Sequence, residues 1–253
     1  MKARGDPAGG VYVYCIIESR EARSFGPIGL GGDAGEVYTI NHADLAAVVS
    51  DVAANIVDLT EDNAFVHHRV ISEVFNTFTV LPVSFGHVAR SPDEVVSFLR
   101  DAYPQLKEGL AKLLNRVELG LKVFWKKESF ASDVTDAQID RLMEAIQSQR
   151  VENVQAAELE LGRMVHDSAA RKREEYKREI YGPLADHALQ ARLGDVISPR
   201  MVLNAAFLVD KSRQPDFDRR VRELQVIRGE NLEFHYSGPW PAYNFADLQL
   251  PGH

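Results

Sequence analysis

Two short apolar runs constrain this chain more than anything else in it: VYVYCII from Val11 to Ile17 and MVLNAAFLV from Met201 to Val209. Both have strand length, and the first is rich in β-branched and aromatic residues, so each reads as a buried strand that other elements must cover. Between them the pattern switches repeatedly between periods of two and of 3.6. The predicted order is β, ββ, α, β, α, β, long α, β, α, β. Strands and helices are mixed without regular alternation, which favours an α+β fold over a doubly wound α/β sheet.

Local signals place the elements. Ser24 to Gly35 holds Gly26, Pro27, Gly29, Gly31, Gly32 and Gly35 and reads as a loop. Glu36–Ile40 and Leu45–Ser50 form a hairpin around NHAD. Thr60 caps a helix that ends before Leu81-Pro82, and Val80 to Val88 is a strand with proline at its entry. Ser91-Pro92-Asp93-Glu94 is a capping box that opens a helix running to Leu113. Val117 to Trp125 alternates with a period of two, its second face formed by Glu118, Gly120, Lys122 and Phe124. Thr135 to Gln138 offers another capping box, and helical patterning then continues to about Leu193; His166–Glu179 is nearly all charged or small, so this part projects as a helical hairpin or arm, kinked at Gly182-Pro183. Asp216–Ile227 is a short helix, and Leu232, Phe234 and Tyr236 share one face of a last strand.

These elements divide into a flexible leader over residues 1–10, an N-terminal mixed α+β domain over 11–116, and a C-terminal βαβαβ domain over 117–236. The second can close as a modified ferredoxin-like layer, with a long helical arm inserted at about 136–193. Residues 237–253, with three prolines, read as an irregular tail packed on the domains.

Charge and composition narrow the function. Lys and Arg total 29 against 37 Asp and Glu, a formal charge of −8, so a sequence-independent grip on nucleic acid or anionic lipid is not expected. No run reaches the roughly 18 to 20 apolar residues of a membrane helix. Val11–Ile17 is followed directly by Glu18, Ser19 and Arg20, unlike a signal peptide. Cys15 is alone, which fits a reducing cytoplasm and excludes an intrachain disulfide.

Catalytic and cofactor motifs are incomplete. FGPIGLGG lacks the following Gly-Lys-Ser/Thr and leads to a strand instead of a helix, so phosphate binding is not supported. A nucleotide-binding or small-molecule enzyme using loop 26–35 is the rival reading. His67 and His68 are adjacent on a helix and cannot act as an i, i+4 metal pair, and no metal or other cofactor is expected. There is no Gly-x-Ser-x-Gly, and Cys15 lies in a strand where its thiol stays protonated. Two segments are candidates for partner binding. The tail carries Trp240, Tyr243 and Phe245, which either seal their own core or present aromatic anchors. The arm carries Arg171, Arg173 and Lys177, which either pair with Glu174, Glu175 and Glu179 on a solvated face or meet a partner.

Taken together, VYVYCII, DLAAVVSDV (Asp44–Val52), VLPVSFG (Val80–Gly86), ELGLKVFW (Glu118–Trp125) and SGPWPAYNF (Ser237–Phe245) resemble the gas vesicle protein family GvpF/GvpL. SGPWP is the most specific of these. Ser84 and Ala242 depart from the family, which often has a basic residue and a second proline there. The resemblance implies two α+β domains, the second a modified ferredoxin fold with a helical insertion. It also implies a non-enzymatic role as a minor gas vesicle component or assembly factor, in the vesicle and cytoplasm. Its implied partners are the hydrophobic shell protein GvpA and other accessory Gvp proteins.

Overall fold

The computed structural model describes residues 9–31, 35–53 and 56–246. Most of the expected leader, parts of the Gly-rich segment and the end of the tail lie outside these residues. The chain separates into two compact units, Met1–Glu118 with Pro239–His253, and Leu119–Gly238.

The first unit contains β1 (Gly10–Glu18), β2 (Ser24–Gly29), β3 (Gly35–His42), β4 (Leu45–Val52), α1 (Glu61–Phe75), β5 (Val80–Pro82), β6 (Val88–Ala89), α2 (Pro92–Asp101) and α3 (Tyr103–Leu113). Its sheet runs β2-β3-β4-β1-β5, with β6 also paired to β1, and these pairs are antiparallel. Strand β1 is buried along eight of its nine residues. Its register against β4 slips between Val13 and Cys15, which leaves Tyr14 as an extra residue. Such a bulge reverses the alternation of faces. Tyr12, Tyr14, Cys15 and Ile17 therefore all join Val70, Ile71 and Val74 of α1 in one core cluster. Val13 and Ile16, also buried, turn to the opposite side, where α3 packs on β1.

The helix signals are realised chemically. Thr60 accepts from the Asn63 N–H, and Ser91 accepts from the Glu94 N–H while the Glu94 carboxylate takes the N–H of Arg90. The single helix expected from Ser91 to Leu113 is two, because Pro104 in the first turn of α3 has no N–H to donate and the chain turns at Ala102. The Gly-rich loop is partly strand: Ser24–Gly29 is β2, paired with β3 through two register shifts.

The second unit takes in most of β7 (Arg116–Trp125), then α4 (Lys127–Val134), α5 (Ala137–Gln147), α6 (Val154–Tyr176), a π-helical turn (Lys177–Tyr181), α7 (Gly182–Ala185), β8 (Gln190–Leu193), β9 (Met201–Asp210), α8 (Gln214–Arg228) and β10 (Leu232–Trp240). Its sheet order is β10-β7-β9-β8. Two expectations change here and one is made definite. The long helix is a hairpin of α5 and α6, broken where Gln149 takes φ 50° and Asn153 caps α6 by accepting from the Ala156 N–H. Its far end, Gln190–Leu193, is a strand, because antiparallel pairing with β9 outweighs local helical preference. The last strand continues beyond Tyr236 through Ser237, Gly238 and Pro239, a proline that an edge strand tolerates. The cap of α5 is Asp136, which accepts from the N–H groups of Gln138 and Ile139, while Thr135 bonds back to the Ala131 carbonyl.

Asp133 ties the foot of α6 to the sheet by accepting from Trp125 Nε1 (2.7 Å) and from the Tyr176 hydroxyl (2.6 Å). Arg173 lies 5.2 Å from the Trp125 ring centre, a cation–π contact.

Replacing Ser91 with Ala removes the cap of α2 and is expected to cost about 1 kcal/mol. That corresponds to a fall of roughly 2–4 °C in Tm for a chain of this size, readable by differential scanning calorimetry.

Candidate functional site

Two adjacent histidines on α1 are separated by 100° and so serve different neighbourhoods. His67 points inward and is 7% exposed. Its Nδ1 accepts from the Tyr12 hydroxyl at 2.9 Å, its ring also bonds the Val83 backbone, and the rings of Tyr12, Tyr14 and Phe85 surround it. Burial holds the imidazole neutral and lowers its pKa to about 4. The Tyr12 hydroxyl in turn accepts from the Gly86 N–H at 3.0 Å, which fixes the turn between β5 and β6.

Beside it, a closed ring of hydrogen bonds secures the Gly-rich segment. The Leu30 N–H donates to the Tyr14 hydroxyl (2.6 Å), Tyr14 donates to Ser50 (2.8 Å), and Ser50 donates to the Leu30 carbonyl (2.9 Å). Every member is buried and satisfied. Gly31 takes φ 106°, and a Cβ there would stand 2.5 Å from the Asp51 carbonyl oxygen. The Gly35 N–H is bonded to the Gly31 carbonyl at 2.9 Å. The glycines thus allow backbone to approach backbone, and the N–H groups of Leu30 and Gly35 are engaged within the fold.

His68 faces the tail. Its Nδ1 is 2.6 Å from the Tyr243 hydroxyl and 3.3 Å from Ser72, and its ring lies 5.3 Å from Trp240 and 5.4 Å from Tyr243. Tyr243 packs against the core cluster, and burial pushes its phenol well above the ordinary range. Phe245 and Ala242 are buried. Glu118 completes this clasp. Only 5% exposed, it accepts from the Asn244 backbone N–H at 2.7 Å and from Asn244 Nδ2 at 2.5 Å. Of the three tail aromatics, Trp240 keeps the most open ring, at 36% exposure.

The basic residues of the arm are already engaged. Arg171 lies 3.9 Å from Asp136. Arg173 donates to the carbonyls of Pro199 and Met201, and Lys177 pairs with Glu174 at 3.1 Å. The expected i, i+4 ion pairs appear at i, i+3, as Lys172–Glu175 and Lys177–Glu174, and Glu179 pairs with Arg228. The structure therefore brings the tail residues together around His68 and leaves the arm residues in local pairs.

Two residues that matter here belong to no motif in the sequence. Glu118 was placed on a polar strand face, yet it is a buried acceptor; the signal was a lone carboxylate opening an apolar strand. His67 shares its helical spacing with Val70, Ile71 and Val74 and so lies on the buried face of α1. Among the described residues, no three His, Cys, Asp or Glu side chains are grouped to hold a metal ion, and no helix is long and apolar enough to cross a membrane. Cys15 is fully buried, which raises its thiol pKa far above the ordinary value.

The His67 shift fixes a pH dependence. Its folded pKa of about 4 lies below the unfolded value of 6.5, so the unfolded chain binds the extra proton first as pH falls. Stability present above pH 6.5 should decline toward pH 4, by about 3 kcal/mol from this group. Urea midpoints of the native chain and His67→Gln across that range should converge at low pH; parallel curves would refute the assignment. Glu118→Ala leaves the two Asn244 donors without their acceptor, at a cost of about 2 kcal/mol, and limited proteolysis should then cut the tail first.

The profile of the family described as "Gas vesicle synthesis protein GvpL/GvpF" matches residues 10–247. "Gas vesicle protein F" of Haloferax mediterranei is 26% identical over 245 residues, which cover 95% of this chain and 94% of that protein. "Gas vesicle protein L1" of Halobacterium salinarum is 25% identical, covering 94% of this chain and 90% of its own. In fold, the chain is similar to the crystal structure of GvpF from Anabaena sp. PCC7120, with a TM-score of 0.76 and 22% identity over 97% of this chain and 99% of that one. With a family profile spanning nearly its whole length, this chain belongs to the GvpL/GvpF family of gas vesicle synthesis proteins.

Proposed function

We propose that this protein is an assembly factor and minor component of the gas vesicle. In this reading it binds the hydrophobic shell protein GvpA and other accessory Gvp proteins during vesicle nucleation, and it holds shell subunits back from premature aggregation without catalysing a reaction. It works in the cytoplasm and at the growing vesicle. The second unit is read as a modified ferredoxin-like layer over about 117–236 with its helical insertion, beside an N-terminal domain over 11–116.

The observation that carries this reading is the open edge of the second sheet. Strand β8 ends the order β10-β7-β9-β8, is four residues long, and pairs with β9. Leu189 and Leu193 at its ends, and Val196 and Ile197 just beyond, are exposed, Ile197 at 75%. An edge strand offers unpaired N–H and C=O groups to another strand, and apolar side chains beside it add contact area. Its short length suits reversible pairing, which transient capping of a polymerising subunit requires. The net charge of −8 keeps such a carrier soluble beside an insoluble partner. The exposed ring of Trp240 is a further candidate contact on the first unit.

The test is capture of GvpA by the tagged full-length chain, with Leu193→Lys/Val196→Asp as the discriminating variant. Exposed substitutions should leave stability within about 0.5 kcal/mol. Capture by the native chain and its loss in the stable variant would support edge pairing. Undiminished capture by the variant would exclude this edge, and absence of capture together with normal vesicles in a deletion strain would end the assembly reading.

A further inference from the structure

The second unit holds a charged cavity of about 350 Å³ at the start of α8. Arg213, Asp216, Arg219, Arg220 and Glu223 line it from the helix, and His187 lines it from the turn between α7 and β8. Residues 213, 216, 220 and 223 recur at steps of three and four, so they share one flank of α8. Every lining residue is polar or charged, whereas a pocket for an apolar ligand is walled mostly by hydrophobic side chains.

Three arginines face two carboxylates here, an excess of positive charge in a chain whose net charge is −8. Each carboxylate is engaged by one arginine: Arg219 donates to Asp216 at 2.6 Å, and Arg220 Nη1 donates to Glu223 at 2.8 Å. Arg213 is in no ion pair among the described residues. No side chain caps the helix end beside it, where the positive end of the helix dipole adds to its charge. Arg220 supplies an independent sign of a ligand. Its Nε is shut away from solvent and has no hydrogen-bond partner among the described residues, a costly condition for a donor. An oxyanion that draws the guanidinium round to itself satisfies that donor.

His187 decides which oxyanion fits. Its Nδ1 lies 2.8 Å from the Pro183 carbonyl oxygen, which can only accept, so Nδ1 carries the proton and the neutral ring keeps its lone pair on Nε2. The lining therefore combines guanidinium donors with an imidazole acceptor. Hydrogen phosphate matches both, because it has several acceptor oxygens and one O–H to give. A carboxylate or a sulfate ion has acceptors but, at neutral pH, no such hydrogen.

We infer that this cavity is a binding site for hydrogen phosphate. Arg213 and Arg220 hold its oxygens by charge-assisted hydrogen bonds, and His187 Nε2 accepts its O–H. Because the ligand is held by the folded second unit, its binding stabilises the chain, whether or not the β8 edge binds the shell protein.

The probe is sodium phosphate, titrated into the full-length chain while Tm is followed, with sodium sulfate at equal ionic strength beside it. Phosphate should raise Tm to a plateau, and sulfate should raise it less. Arg213→Gln should leave the phosphate-free Tm level and raise the half-saturating concentration about tenfold or more, the loss of one hydrogen bond to a charged group. Arg220→Gln should do the same, and His187→Ala should remove the preference for phosphate over sulfate. Arg20→Gln, which deletes an exposed charge on the first unit, should change neither. A shift without a plateau, equal shifts from both salts in the native chain, or equal weakening by Arg20→Gln would reveal a general salt effect and overturn the proposal. Tighter binding of adenosine monophosphate than of the free ion would also overturn it, in favour of a phosphate ester.

Discussion

Strand β1 has to bury both of its faces, and the residue that makes this possible is Tyr14. As the extra member of the bulge it brings Cys15 and Ile17 onto the same side as Tyr12, so one helix can cover a face that simple alternation would have split. The same side chain closes the ring through Ser50 and Leu30 that holds the glycine-rich segment against the sheet. The position of α1, the turn after β5 and the path of β2 all follow from these two roles. The hydroxyls of Tyr12 and Tyr14 have no access to water, so each must find its partners in the protein, and a buried polar network with every member satisfied rigidifies what it joins.

How much of this could be read from residues alone depended on whether the deciding interaction was local. The caps at Thr60 and Ser91 were legible because a hydroxyl bonds an N–H three residues away. The hairpin of β3 and β4 was legible because its turn and both strands are consecutive. The bulge was not, since every residue from Val11 to Ile17 is apolar or aromatic and alternation leaves no trace in such a run. Strand β8 was hidden for a different reason: QARL carries no strand preference of its own and is extended only because β9 lies beside it. Gly31 and Gly35 looked like loop residues, but a side chain at either would run into the backbone of Asp51 or Leu30.

The candidate site divides in the same way. The aromatic tail announced itself by composition, whereas its acceptor, Glu118, lies 126 positions away from Asn244 and is identified only by the fold. The arm's basic run stands out as a charge cluster, yet Lys177 is paired one turn away, Arg171 lies against Asp136, and Arg173 is drawn onto carbonyls. Charge counted along a sequence says little until partners are subtracted.

The clasp between Glu118 and Asn244 has a consequence for synthesis. Residues 239–246 leave the ribosome after the whole of the second unit, so the first unit, although it is made first, stays unfinished for most of translation. Until then His68 lacks its tyrosine and the Glu118 carboxylate its donors. Pairings so distant along a chain form late. The second unit, bracketed by the two halves of the first, can fold while they wait, and closure of the clasp then marks a chain that has been made through to its tail.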